Sequence, residues 1–322
     1  MKAIELTPEH PIEEVTELAV TAEQVGFDTV LASCHYFNRD PYVALDRIAA
    51  ATEEVALGPA AANPYDTHPV ALASRVATIQ EVSDGRAVFG VGPGDRSTLS
   101  ALGVERDSPL RRVLETFKVA QDLWAGESVD LDWTFQAADA DLEYEVAGEI
   151  PVYVGAQGPH MIRMAAKHAD GVLYNGSHPR DMAWAAEQVE TGLEERPEER
   201  GEFDFAAYAS VSVADEEAAA REAARPPVAF IAGGAAPPVL DRHDLDRERA
   251  EEIGAAIEAG SFSEAFGLVT EAMIDAFCIA GTQTQVEEEI EAVLEYADSI
   301  VVGAPLGPDL ERAIELAGAV LR

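Results

Sequence analysis

The chain has 322 residues, 60 of them acidic and 22 basic, for a net charge of −38. Such an excess of negative charge repels phosphate backbones and argues against a nucleic-acid partner. No apolar run approaches the roughly 20 residues a membrane span needs, and no charged-then-apolar leader opens the chain, so the expected location is cytoplasmic.

Acid-rich chains are either disordered or adapted to concentrated salt. Strong apolar periodicity argues against disorder here and for a halophilic protein, because at 1 M salt screening reaches only about 3 Å. Two cysteines, Cys34 and Cys278, make neither a disulfide framework nor a zinc cluster, and no metal site is expected.

In chain order, residues 2–7 read as a strand whose apolar run is interrupted by Glu5. Pro11 then opens a helix with Ile12, Val15, Ala19, Ala22 and Val25 at helical spacing, and Gly26 ends it. A second strand, 29–34, runs into His35, and Asp40 caps a helix that starts at Pro41. A third strand, 55–63, ends at Asn63, and Pro69 opens a helix that stops near Gly85. Arg86 to Asp95 forms a fourth strand with a Gly92-Pro93-Gly94-Asp95 exit, followed by a helix from Pro109 to Gly126.

Residues 129–149 break the alternation and predict an irregular or short β excursion. A fifth strand from Pro151 has a glycine-rich exit, and a sixth covers 171–177. The link 194–201 leads to a seventh strand, 205–213. The segment 215–277 is helical and too long for a simple connection, so it reads as an insertion, with a bend or unwinding expected within 224–238 at its proline pairs. A helix over 284–296, an eighth strand at 299–304 and a last helix from about Pro308 complete the chain.

Eight strands alternating with helices predict a closed parallel (β/α)8 barrel, one domain over 1–322 with the insertion inside it. The alternative is an open doubly wound sheet, but the turn after the first strand lacks the glycine fingerprint such sheets carry there.

In a barrel the strand exits converge on one mouth, where Glu5, Cys34, His35, Asn63, Asp95, Gln157, Gly158 and Asn175 would meet. A carboxylate inside a barrel strand is costly unless it has a partner or a task. Desolvation would raise the pKa of Glu5 and make it a general acid; the alternative is a salt-bridged structural glutamate. Gly155, Ala156, Gln157, Gly158 and Pro159 lead into a helix start, an arrangement suited to an anion and equally to a plain turn. No P-loop lysine is present, so nucleotide hydrolysis is not supported.

The ordered set Gly58-Pro59 with Asn63-Pro64-Tyr65, Gly92 to Asp95, Gly155 to Pro159, Val228 to Ile231 and Pro237-Pro238 to Arg242-His243 resembles the archaeal 5,10-methylenetetrahydromethanopterin reductases. These belong to the bacterial luciferase-like superfamily. The resemblance runs from Glu5 to Asp309. It implies a (β/α)8 barrel with an insertion before the last strand, and coenzyme F420 (an 8-hydroxy-5-deazaflavin) at the mouth. The strand-five exit would hold its phosphate-bearing tail, and Cys34, His35, Asn63 and Gly94 would line the site.

The resemblance further implies a non-proline cis peptide at Ala60-Ala61 behind the deazaflavin, where the family usually has Gly-Val. The family has an aspartate where this chain has Cys34. The implied reaction is hydride transfer to the methylene group of a tetrahydropterin, on tetrahydromethanopterin or tetrahydrofolate, with Glu5 and Asp95 as candidate proton donors. A dimer or tetramer is also implied. Two other functions fit the same barrel: an FMN-dependent monooxygenase and a non-catalytic flavin-binding protein.

Overall fold

A computed structural model describes residues 1–321, the side chain of Ser97 excepted. β1 (Lys2–Leu6), α1 (Ile12–Val25), β2 (Thr29–Ser33), α2 (Pro41–Ala51), β3 (Ala56–Ala60), α3 (Pro69–Val82) and β4 (Phe89–Val91) alternate as expected. Next come α4 (Arg96–Ala101), α5 (Pro109–Trp124) and an antiparallel hairpin of β5 (Val129–Asp132) and β6 (Gln136–Ala140). The alternation resumes with β7 (Val152–Ala156), α6 (Pro159–His168), β8 (Gly171–Asn175), α7 (Pro179–Leu193) and β9 (Asp204–Val213). Between β9 and the last barrel strand lie α8 (Glu217–Gly234), α9 (Pro237–Arg242), α10 (Arg247–Glu258), α11 (Phe262–Leu268), α12 (Glu271–Phe277), β10 (Ile279–Gly281) and α13 (Gln283–Leu294). β11 (Ser299–Leu306) and α14 (Leu310–Val320) end the fold.

The strands pair in parallel in the order β3-β2-β1-β11-β9-β8-β7-β4. Bridges Leu57–Ala87 and Ala62–Val91 join the two ends and close the barrel. That seam depends on two glycines. A Cβ on Gly58 would lie 1.8 Å from the Val88 carbonyl oxygen, and one on Gly90 would lie 2.2 Å from that of Pro59. Any side chain there would force the seam apart.

Period-two alternation sorts the strand residues. Ile4 and Leu6 join the core between sheet and helices. Ala3, Leu31, Ala60, Leu173, Ala206 and Val301 fill the lumen, with Tyr153 and Tyr208 packed against them. At the opposite end from the strand exits, Asp28, Asp170 and Asp298 each precede a strand and accept the backbone N–H of a neighbouring strand, from Lys2, Val152 and Phe205 at 2.8–2.9 Å. Arg86, at the foot of β4, donates to the carbonyls of Ala49, Thr52, Val55 and Ser83, tying the end of α2 to the barrel.

Two details go beyond the expectations. The break expected within 224–238 falls at Ala235–Ala236, before the second proline pair, while α8 continues through the first pair, Pro226 and Pro227. The prolines remove two amide donors, but Ala224, Val228, Ala229 and Ala232 remain buried on one face, and this packing holds the helix together. The sheet also gains a short ninth strand, β10, which pairs with Val211–Val213 of β9. Three residues are too few for periodicity to reveal. No helix among the described residues is long and apolar enough to cross a membrane.

Candidate active site

Glu5 lies at the lumen end of β1, with 4% of its surface exposed. Its partners are neutral donors. Thr7 Oγ1 donates to Oε1 at 2.8 Å, the Ala304 amide donates to Oε2 at 3.3 Å, and the Tyr208 hydroxyl also hydrogen-bonds to it. No cation pairs with it among the described residues, so the salt-bridged alternative does not hold. Burial pushes its carboxyl above the ordinary range; the three hydrogen bonds pull it back in part, and the charge of Glu9 adds to the rise. A carboxyl in this setting holds its proton to higher pH than a free one does.

The exits of β2, β3 and β4 are tied together beside it. His35 Nε2 lies 3.3 Å from Thr98 Oγ1, and the Tyr36 hydroxyl donates to Asn63 Oδ1 at 2.7 Å. Asn63 is buried and also receives the Tyr65 amide at 3.1 Å. Cys34 is partly buried, and burial, reinforced by the charge of Asp66, pushes its thiol far up, so this position carries no negative charge at neutral pH. Gly94 adopts φ 70°, a left-handed conformation that suits glycine, and turns the chain against Asn63.

Asp95 is exposed and caps α4, its Oδ1 accepting the Thr98 amide at 2.8 Å. Its carboxylate thus fixes the start of α4 while lying at the exit of β4, at the mouth.

The Ala60–Ala61 peptide is cis, as the resemblance implied. Around it the exits of β3, β4 and β7 converge on small residues. A Cβ on Gly92 would sit 3.2 Å from the Ala61 Cβ, and one on Gly155 would sit 3.5 Å from it. The three exits thus pack closely about the Ala61 methyl group, with no side chain on Gly92 or Gly155. Beyond Gly155 and Ala156, Gln157 and Gly158 are exposed, and α6 begins at Pro159 with no side-chain cap; Pro159 has no amide and those of Met161 and Ile162 donate to the Gly158 carbonyl, which leaves the His160 amide and the positive end of the helix for an anion. His68, by contrast, is a helix cap: its Nδ1 accepts the Val70 amide at 3.3 Å.

Sequence reasoning missed Thr7, Tyr36, Thr98 and Tyr208. Two of these were within reach. Thr7 stands two residues from Glu5, and Tyr208 shares the lumen face of β9 with Ala206 by simple alternation.

Residues 2–301 match the luciferase-like monooxygenase family model. A 5,10-methylenetetrahydromethanopterin reductase from Methanolobus tindarius is 38% identical over 318 residues, covering 98% of this chain and 97% of that protein. The corresponding protein of Archaeoglobus fulgidus is 39% identical over 321 residues, with 98% and 96% covered. The chain belongs to the 5,10-methylenetetrahydromethanopterin reductase family. The solved coenzyme F420-dependent tetrahydromethanopterin reductase of Methanopyrus kandleri superposes with a TM-score of 0.92 at 37% identity, over 98% of this chain and 96% of that one. The barrel, the insertion and the site described above thus lie in the part shared with these reductases.

Proposed function

We propose that this protein reduces the methylene group carried by a tetrahydropterin to a methyl group, using hydride from reduced coenzyme F420. The carrier that its relatives favour is tetrahydromethanopterin, with tetrahydrofolate as the comparison to test. The observation that carries the reading is the pairing of a buried Glu5, its carboxyl pushed up by desolvation, with the glycine-lined exits around Ala61 at one barrel mouth, in a chain nearly 40% identical to such reductases.

The residues fit a planar ring with an anionic tail. Ala61, Gly92 and Gly155 present no side chain larger than a methyl group to a ring, and the start of α6, without a side-chain cap, suits a phosphate. When bound, the deazaflavin supplies the hydride. The chain's own part is positioning and proton placement. His35, Asn63 and Gly94 would shape the ring's edge. Glu5 would hold the proton that the departing ring nitrogen needs as the methylene bridge opens. Asp95, with one oxygen committed to α4, would steer the substrate rather than supply that proton.

The division of labour is testable. Glu5→Gln should lose about 10²–10⁴-fold in kcat, the range for a general acid. Asp95→Asn should act mainly on KM. The assay crosses both pterins with reduced coenzyme F420, reduced nicotinamide and reduced FMN, in molar salt. Turnover with FMN and oxygen and none with the deazaflavin would overturn the proposal, as would wild-type rates in Glu5→Gln.

A further inference from the structure

On the rim of the mouth, just past Asp95, α4 and the loop that follows it enclose a depression lined by Arg96, Ser100, Val104, Glu105 and Arg106 among others. Two arginines face it in a chain that has only 22 basic residues. Arg106 is held in place: its Nε donates to the Pro93 carbonyl at 2.8 Å, within the Gly92-to-Asp95 turn itself. That bond leaves the guanidinium's terminal nitrogens for other partners.

Neither Arg96 nor Arg106 forms an ion pair among the described residues, although nine other arginines do. Partial burial, and then the like charge of Arg96, make the protonated form of Arg106 harder to hold. Two guanidinium groups, with the carboxylates of Asp95 and Glu105 beside them, offer an anion direct contacts on a protein whose overall field repels it. In concentrated salt long-range attraction is screened, so an anion must be held by direct contact, and a pair of guanidinium groups supplies it.

We propose that this depression seats the anionic tail of one of the two cosubstrates, with Arg96 and Arg106 contacting its carboxylate or phosphate groups. The inference rests on the function proposed above. Because the uncapped start of α6 is assigned the coenzyme's phosphate, the groups reaching Arg96 and Arg106 are either carboxylates farther along the coenzyme's tail or the acidic tail of the pterin.

The test is fluorescence titration of oxidised coenzyme F420 into the protein without pterin, beside a deazaflavin that lacks the tail. The variants are Arg96→Gln, Arg106→Gln and, as a control for net charge alone, the exposed Arg47→Gln on α2. If the coenzyme's tail is seated here, each rim variant weakens intact coenzyme about tenfold to a hundredfold, the worth of a charge-assisted hydrogen bond. The tail-less deazaflavin and the Arg47→Gln control stay unchanged. If the pterin's tail is seated here, the coenzyme titrations are unmoved. The KM for intact pterin then rises by a similar factor, while that for a pterin lacking its acidic tail does not.

Equal weakening of intact and truncated ligands would mean a merely structural role and overturn the inference, as would no effect on either cosubstrate. Arg96 is exposed, so its variant should fold whatever the fate of Arg106→Gln. Turnover in which the rim variants change neither the response to the coenzyme's tail nor the response to the pterin's tail would leave the reductase reading standing while the rim inference falls. Failure of any deazaflavin to bind would remove both.

Discussion

The lumen carboxyl of Glu5 is balanced between desolvation, which favours the protonated form, and three donors, which favour the charged one. Tyr208 is the donor that can be removed with least disturbance. Burial and the neighbouring Glu5 charge raise its own pKa, so its hydroxyl stays protonated and serves as a donor. In Tyr208→Phe the Glu5 carboxylate loses one stabilising bond, and its pKa rises further. The acid is active below its pKa, so the alkaline limb of the kcat profile should move to higher pH. A hydrogen bond to a charged group is worth about 1.5–3 kcal/mol, which corresponds to about one to two pH units. A limb that stays fixed or moves down would show that Glu5 is not the group whose titration limits turnover. Thr7→Val should shift the limb in the same direction, since Thr7 donates to the same carboxyl.

At the scale of elements, a buried cluster helps fasten the insertion to the barrel. Asp181, in the first turn of α7, accepts from Arg242 at the end of α9 and from His243 Nε2 at 2.8 Å. Arg242 lies over the Trp184 ring at 4.4 Å, and His178 meets His243 edge-on at 4.9 Å between ring centres. Burial alone would raise the Asp181 carboxyl, but the bonds and charges of His243 and Arg242 outweigh it and hold it low. A carboxyl with a depressed folded pKa binds fewer protons than in the unfolded chain. Its stabilisation is therefore present above the ordinary carboxylate range and lost as pH falls through its folded pKa. Asp181→Asn should cost about 3 kcal/mol or more, because it strands a largely buried guanidinium. Hydrogen exchange should then speed up in α9 and α10 before it does in the barrel strands; uniform exchange across the chain would contradict this fastening role.

The same cluster shows where the sequence was legible. Barrel strands and proline-opened helices could be read because burial follows period and Pro41, Pro69 and Pro109 stand at helix starts. Glu5 could be read because a carboxyl in an apolar strand is conspicuous. Asp181, Arg242 and His243 could not, since some 60 residues separate partners that only the folded insertion brings together. The helix α4 escaped notice for a different reason: six residues capped by Asp95 carry too little apolar pattern to register.

For the whole molecule, charge is the dominant question. A surface of 14750 Å² shared among 38 excess negative charges leaves about 20 Å between neighbours on average, beyond the roughly 10 Å screening length at 0.1 M salt. Mean repulsion is thus largely quenched well below molar salt. The acids are not evenly spread, however. Glu287, Glu288, Glu289 and Glu291 share one helix, α13, and Glu287 and Glu291 stand one turn apart on its exposed side. Like charges at that spacing, about 5–6 Å, still repel at 0.1 M and are screened only as the screening length drops towards 3 Å. The exposed ion pairs, such as Arg247–Asp241 and Arg312–Asp215, offset little, since each is worth at most about 1 kcal/mol. We therefore expect Tm to rise with potassium chloride in two stages, steeply below about 0.1 M and then more gently towards 1 M. Glu291→Lys turns a repulsive turn into an attractive one and should add about 0.5–1 kcal/mol at low salt, with the gain shrinking as salt rises. If full stability instead demands molar salt and the Glu291→Lys gain is independent of salt, charge repulsion is not the cause. The salt requirement would then lie in stronger effective burial of apolar surface, which a neutral excluded osmolyte should reproduce.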